Sequence, residues 1–193
     1  MWDQIERELA HLLSNKIFPE LLPVPDYRAL LRPNGQPDPN LCAAKSKVIV
    51  KTARDGIREF GSGGPPKVEE WKEPICRAVS PRNRPDGQWW FEESLVQRWS
   101  RRYPPATPGR KQKILDSLRP MLAVCHDWND FTDLVVIRPT SPIPAIVGQG
   151  SHKGIYSSAD PRHHAYPNVF FIGGFRQVFL PFVNPGSIKK YPL

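Results

Sequence analysis

The chain has 193 residues, enough for one domain with a real core, and its 24% charged and 39% apolar content is that of a folded rather than a disordered protein. Proline stands at 23 positions, more than twice the usual share, which favours long irregular connections over long unbroken helices. The net charge is +8; residues 1–70 hold ten Lys/Arg against ten Asp/Glu, so the whole excess lies in residues 71–193 and suits an anionic partner as well as plain solubility.

At the N-terminus, Trp2, Ile5, Leu9, Leu12, Leu13 and Ile17 recur at helical spacing and predict an amphipathic helix over 2–17. This segment is acidic, not a basic leader before an apolar core, and no window approaches the roughly 20 apolar residues of a membrane span. Residues 19–44, centred on PNGQPDPN, read as loop, KVIVK (47–51) as a short strand and 52–60 as a short helix. GSGGPP (61–66) reads as a break, so 1–64 is expected as a helical and Pro-rich extension and 65–193 as the main domain. Cys42, Cys76 and Cys125 are odd in number and widely spaced, with no C-x-x-C pair, which argues against a disulfide framework or a zinc site and fits a reducing compartment.

In the main domain PICRAVS (74–80) reads as a strand, and DGQWWF (86–91) as a turn and a strand. Helices are expected over 92–101 and 110–123, the second burying Ile114, Leu115, Leu118 and Leu122. DLVVIRP (133–139) and IPAIVG (143–148) read as strands, 149–167 as a loop, and NVFFI and RQVFLPF as closing strands around Gly173 and Gly174. This order is α+β.

Several side chains carry possible chemistry. Arg77 lies in a short apolar strand, where burial is costly without an anion or a carboxylate; an internal pair, an exposed edge and a bound phosphate all satisfy it. Trp89 and Trp90 point to opposite faces if extended, one to the core and the other free to stack on a planar ring or core as well. In the last strand alternation places Phe175, Gln177 and Phe179 on one face and Arg176, Val178 and Leu180 on the other. Gly173 and Gly174 fit either a close approach to a ligand or a tight turn. GQGSHKG (148–154) could touch phosphate. The histidines His126, His152, His163 and His164 form no recognised metal-ligand set, so no metal is expected, and Asp127 and Asp130 suit helix caps. The runs RWSRRY and GRKQK, with aromatics among them, leave open a basic nucleic-acid-binding module; a non-catalytic interaction protein docked through the N-terminal helix is the third reading.

Three stretches together resemble the ADP-ribosyltransferase fold and the tuberculosis-necrotizing-toxin-type NAD glycohydrolases: ICRAV, WNDFTDLVVIRPTSPIPAIVG and GGFRQVFLP, spanning roughly 74–182. The resemblance implies a small, twisted, antiparallel-rich split sheet with flanking helices, and a toxin or effector enzyme that cleaves the nicotinamide N-glycosidic bond of NAD. It implies that Gln177 is catalytic, that Arg77 grips the pyrophosphate, that Trp90 or Phe175 stacks on nicotinamide, and that Gly173 and Gly174 let the dinucleotide lie close. It also implies a protein or nucleic-acid acceptor if ADP-ribose is transferred, and an inhibitory immunity protein as a partner; the cysteine usage fits cytosolic action, native or after delivery. Phe179 stands two residues after Gln177, where arginine-modifying transferases resembling this pattern carry Glu, and no Ser-Thr-Ser triplet follows the first strand. Hydrolysis of NAD and a binding-only fold are both compatible with that departure.

Overall fold

The structure, a computed structural model, describes residues 1–15, 28–57, 60, 65–81, 85–181 and 183–193. In chain order the elements are α1 (Trp2–Asn15), α2 (Pro39–Ile57), β1 (Lys67–Trp71), β2 (Ile75–Val79), β3 (Trp89–Glu92), α3 (Glu93–Arg102), α4 (Arg110–Leu122), β4 (Asp133–Ile137), β5 (Ile143–Gln149), β6 (Lys153–Gly154), β7 (Phe170–Phe171), β8 (Arg176–Phe179) and β9 (Lys189–Lys190). Seven strands form one antiparallel sheet in the order β1-β5-β8-β3-β2-β4-β9, and β6 and β7 make a separate two-stranded ribbon. The α+β expectation therefore holds.

The two sheet faces bury different helices. Ile5, Leu9 and Leu13 of α1 and Cys42, Ile49, Val50 and Ala53 of α2 join Trp71, Ile75, Trp90, Val147 and Val178 in one core. Each fully buried aliphatic side chain of this kind is worth about 2 kcal/mol. Leu95 and Val96 of α3 and Ile114, Leu115, Leu118 and Leu122 of α4 pack on Cys76, Ala78, Phe91, Leu134 and Val136 in the other. Successive β2 residues thus feed alternate cores, as a period of two requires.

The N-terminal segment is part of the first core, so the division expected at residue 64 does not separate two cores; residues 61–64 themselves lie outside the described residues. The strand expected at 47–51 and the helix expected after it run as one helix, α2, as far as Ile57; residues 58 and 59 lie outside the described residues, and Phe60 is in a bridge. Val48, Ile49 and Val50 favour a strand locally, but Cys42, Ser46, Ile49, Val50 and Ala53 fall on one helical stripe, and packing against α1 decides the outcome. Residues 170–171 do not enter the main sheet: they pair with β6, across Lys153–Phe171 and Gly154–Phe170. Among the described residues no helix is long and apolar enough to cross a membrane.

One pairing in the sheet is short. β2 meets β4 through five residue pairs and β3 meets β8 through three, but β2 and β3 join only through Ile75–Glu92 and Cys76–Phe91. Past Cys76 the sheet opens into a four-strand part (β1-β5-β8-β3) and a three-strand part (β2-β4-β9).

Candidate active site

A cavity of about 420 Å³ fills the opening between β2 and β3. Arg77 and Ala78 of β2 line one wall, and Trp89, Trp90, Phe91 and Gln177 the other. Leu122, Ala123 and Val124 at the end of α4, the Trp128–Phe131 loop, and Gly150, Ser151 and Lys153 after β5 complete it. Arg77 and Gln177, a hundred residues apart in sequence, thus face one space.

Arg77 fills the split itself. Its Nη1 donates to the Trp89 carbonyl (2.9 Å), the carbonyl left over where β3 parts from β2. Its Nε is buried with no hydrogen-bond partner. Burial pushes the guanidinium pKa down from its usual value, and the nearby Asp86 carboxylate partly offsets this. A half-buried guanidinium with a shielded, unpaired Nε is costly, and an anionic oxygen in the cleft would relieve it. The guanidinium also packs hard against Gly87: a Cβ there would lie 2.2 Å from Nη2.

Gln177 is held from the opposite side. Its Nε2 donates to the Leu122 carbonyl (2.8 Å), one of the carbonyls that a helix C-terminus leaves unpaired. This bond fixes the amide orientation and leaves Oε1 as the group able to accept from a ligand. Gly150 makes room for it, since a Cβ there would lie 2.6 Å from Nε2.

The aromatic wall is only partly the one the sequence suggested. Trp90 is 2% exposed and its indole N–H donates to the Gly87 carbonyl (2.8 Å); it belongs largely to the core while still contributing to the cavity lining. Phe175 packs against the α3–α4 core and is absent from the cavity lining. Trp89 lines the cavity beside Trp90, with Phe60 tilted against it at 5.1 Å. Phe60 arrives through an isolated bridge to Gly150 and lies over Gly148, where a Cβ would meet the ring at 2.7 Å.

Gly173 and Gly174 likewise do not line the cavity. They make the turn that clamps β8 to the end of β5. Gly174 N donates to the Gly150 carbonyl and Gly150 N to the Phe175 carbonyl (2.6 and 3.1 Å), while Gly173 N reaches the Pro120 carbonyl (3.1 Å). Both have positive φ, and Gly173 lies against the Ser151 backbone. Arg176, on the other face of β8, pairs with Glu69 and Glu92 and lies 4.7 Å over the Trp71 ring, a surface role. An amide and a guanidinium can sit in this apolar segment because alternation sends one to the cleft and the other to a carboxylate-lined surface.

Two features were not legible in the sequence. Ala123 and Phe131 are the non-glycine residues with positive φ among the described residues (51° and 59°), and both line the cavity. Strain of this kind persists where surrounding structure over-determines it, often at ligand sites. Here Arg119, itself buried, donates to the Val124 and Cys125 carbonyls and stacks 4.9 Å over Phe131. Asn129 donates to the Ala78 carbonyl and accepts from Phe131 N, bracing the loop against β2 (2.9 and 2.8 Å). Asp127 caps no helix; it accepts from Ser157 N and Oγ and pins the segment after β6. The 148–154 stretch does reach the cavity, through Gly150, Ser151 and Lys153. The three cysteines are buried thiols, not joined in a disulfide.

No protein-family model matches the chain, and no curated protein and no solved structure matches it either.

Proposed function

We propose that the cleft binds NAD and hydrolyses its nicotinamide N-glycosidic bond. The observation that carries this reading is the convergence of Arg77 and Gln177 on one cavity at the split of the sheet. Its volume of about 420 Å³ falls in the range of small-molecule sites, and its described lining holds two cations, Arg77 and Lys153, and no carboxylate, which suits an anionic ligand.

Arg77 takes a phosphate oxygen, satisfying the Nε that the protein leaves unpaired. Trp89 and Phe60 offer an apolar, aromatic wall to the planar nicotinamide. Gln177, tethered through its Nε2, presents Oε1 to the ribose hydroxyls. As the C–N bond breaks, its electron pair leaves with nicotinamide and positive charge develops on the ribose. A fixed amide dipole stabilises that centre without acting as a base. Water adds to the anomeric carbon and releases a proton, giving ADP-ribose.

The test is nicotinamide release from NAD by the wild type, Gln177→Ala and Arg77→Met. Release by the wild type that falls at least a hundredfold in Gln177→Ala, with the fold retained, supports the reading. Full activity in Gln177→Ala refutes the assigned role, and no release and no NAD binding by the wild type refutes the function.

A further inference from the structure

The positive charge is concentrated at one corner of the fold. Residues 93–113 carry six Lys/Arg and one carboxylate, a net of +5 out of +8 for the chain. That carboxylate, Glu93, is buried and accepts from Arg138, so it does not neutralise the surface around it. The six cations occupy the last turns of α3 and the first turns of α4, brought side by side where Arg110 Nε donates to the Tyr103 carbonyl (2.8 Å). Arg98, Arg101 and Arg102 stand at i, i+3 and i+4 and share one helix face. They and Lys113 are exposed, and none of the four has an ion-pair partner among the described residues.

α4 also begins against its own dipole. Its first turn carries Arg110 and Lys111 with no acidic residue of its own, Lys111 being paired with Asp133 of β4 (2.5 Å), and its N-cap, Gly109, contributes no side-chain hydrogen bond. Cations at the positive end of a helix are unfavourable, and an anion placed there reverses the sign.

We propose that this α3–α4 corner is a docking surface for nucleic acid, held through its phosphates. Four of the six cations are arginines, whose planar forks match phosphate oxygens. A membrane surface fits less well. Among the described residues the large exposed apolar side chains are Met1, Leu41, Val48, Trp128, Tyr166, Val169, Phe170 and Ile172, and none lies in 93–113 to enter a bilayer. The cleft sits at the opposite end of α4, about 20 Å away by helical rise. Docking at the corner therefore leaves the cleft open, and the inference stands apart from the NAD reading.

The test is fluorescence anisotropy of the full chain against a labelled 20-base-pair duplex and a 20-nucleotide single-stranded RNA over a series of salt concentrations. The wild type is expected to bind, with log K falling linearly in log salt. The triple variant Arg98→Glu, Arg101→Glu, Arg102→Glu should bind at least tenfold more weakly at the lowest salt. Its duplex salt slope should shrink by about 0.9 for each phosphate that is no longer neutralised. A triple variant with the same charge change elsewhere, Lys47→Glu, Lys51→Glu, Lys67→Glu, should weaken binding much less. Circular dichroism should show both variants folded. Equal weakening in the two variants overturns the proposal, as does absence of binding by the wild type. Binding to vesicles rich in phosphatidylserine without binding to either nucleic acid overturns it in favour of a lipid surface.

Discussion

Gly173 and Gly174 allow a controlled comparison, because they share one constraint and differ in a second. Both have positive φ, 58° and 77°, so alanine at either position incurs the left-handed penalty of about 1–2 kcal/mol. At Gly174 nothing lies within 4 Å of a new Cβ. At Gly173 the Cβ would lie 2.3 Å from the Ser151 carbonyl oxygen and 2.7 Å from its carbon, both backbone atoms that cannot swing aside. Relieving that overlap requires the β8 turn to move off β5 and strains the Gly174–Gly150 hydrogen bond beside it. Losing one such bond and the local packing adds about 2 kcal/mol. The expected totals are about 1–2 kcal/mol for Gly174→Ala and about 3–4 kcal/mol for Gly173→Ala. For a chain of this size they correspond to falls in Tm of about 2–8 °C and 6–16 °C. Thermal unfolding followed by circular dichroism reads both. Equal losses, or a neutral Gly173→Ala, would refute the close backbone approach as the reason for the glycine pair.

Ala123→Gly should raise stability by up to about 1 kcal/mol, seen as a Tm gain of about 2–4 °C, because glycine adopts the left-handed helix cap without strain. Gly87→Ala should leave the protein folded, since the overlap is with the far end of a side chain, but should displace the Arg77 guanidinium and weaken anion binding in the cleft at least tenfold by calorimetry. Asp160, which accepts from the side chain and backbone N–H of Arg162, titrates at about 2 in the folded state against 3.8 normally. A carboxyl held down in this way contributes stability above about pH 4 and loses it as pH falls toward 2. Acid titration of Tm should therefore be shallower over that window in Asp160→Asn than in the wild type, and identical profiles would exclude the pair as a source of stability.

Much of the fold was legible because local preference and tertiary packing agree. The α1 stripe, the buried side of α4 and the apolar runs of β2, β4 and β5 all follow their periodicities. α2 was misread because three β-branched residues in a row outweigh, locally, a helical stripe whose partner is α1. β1 was missed because KVEEW shows two adjacent carboxylates, one of which, Glu69, is explained only by Arg176 from β8. For the site, Arg77 and Gln177 stood out as polar residues in apolar strands, and both face the cleft. Phe60 could not be found, since it reaches Trp89 through one bridge ninety residues away, to Gly150. Nor could Ala123 and Phe131, whose residue types give no hint of positive φ. Trp89 and Trp90 both pack on the α1–α2 core and both line the cavity, which alternation alone does not predict.

The most direct measurement is a calorimetric titration of NAD into the wild type, Arg77→Met and Gln177→Ala. If the split of the sheet is where NAD binds, the wild type takes one equivalent. Arg77→Met, which removes a charge-assisted hydrogen bond of about 1.5–3 kcal/mol, should then bind about 10- to 100-fold more weakly while remaining folded. Undiminished affinity in Arg77→Met, or no heat from the wild type at all, would contradict it.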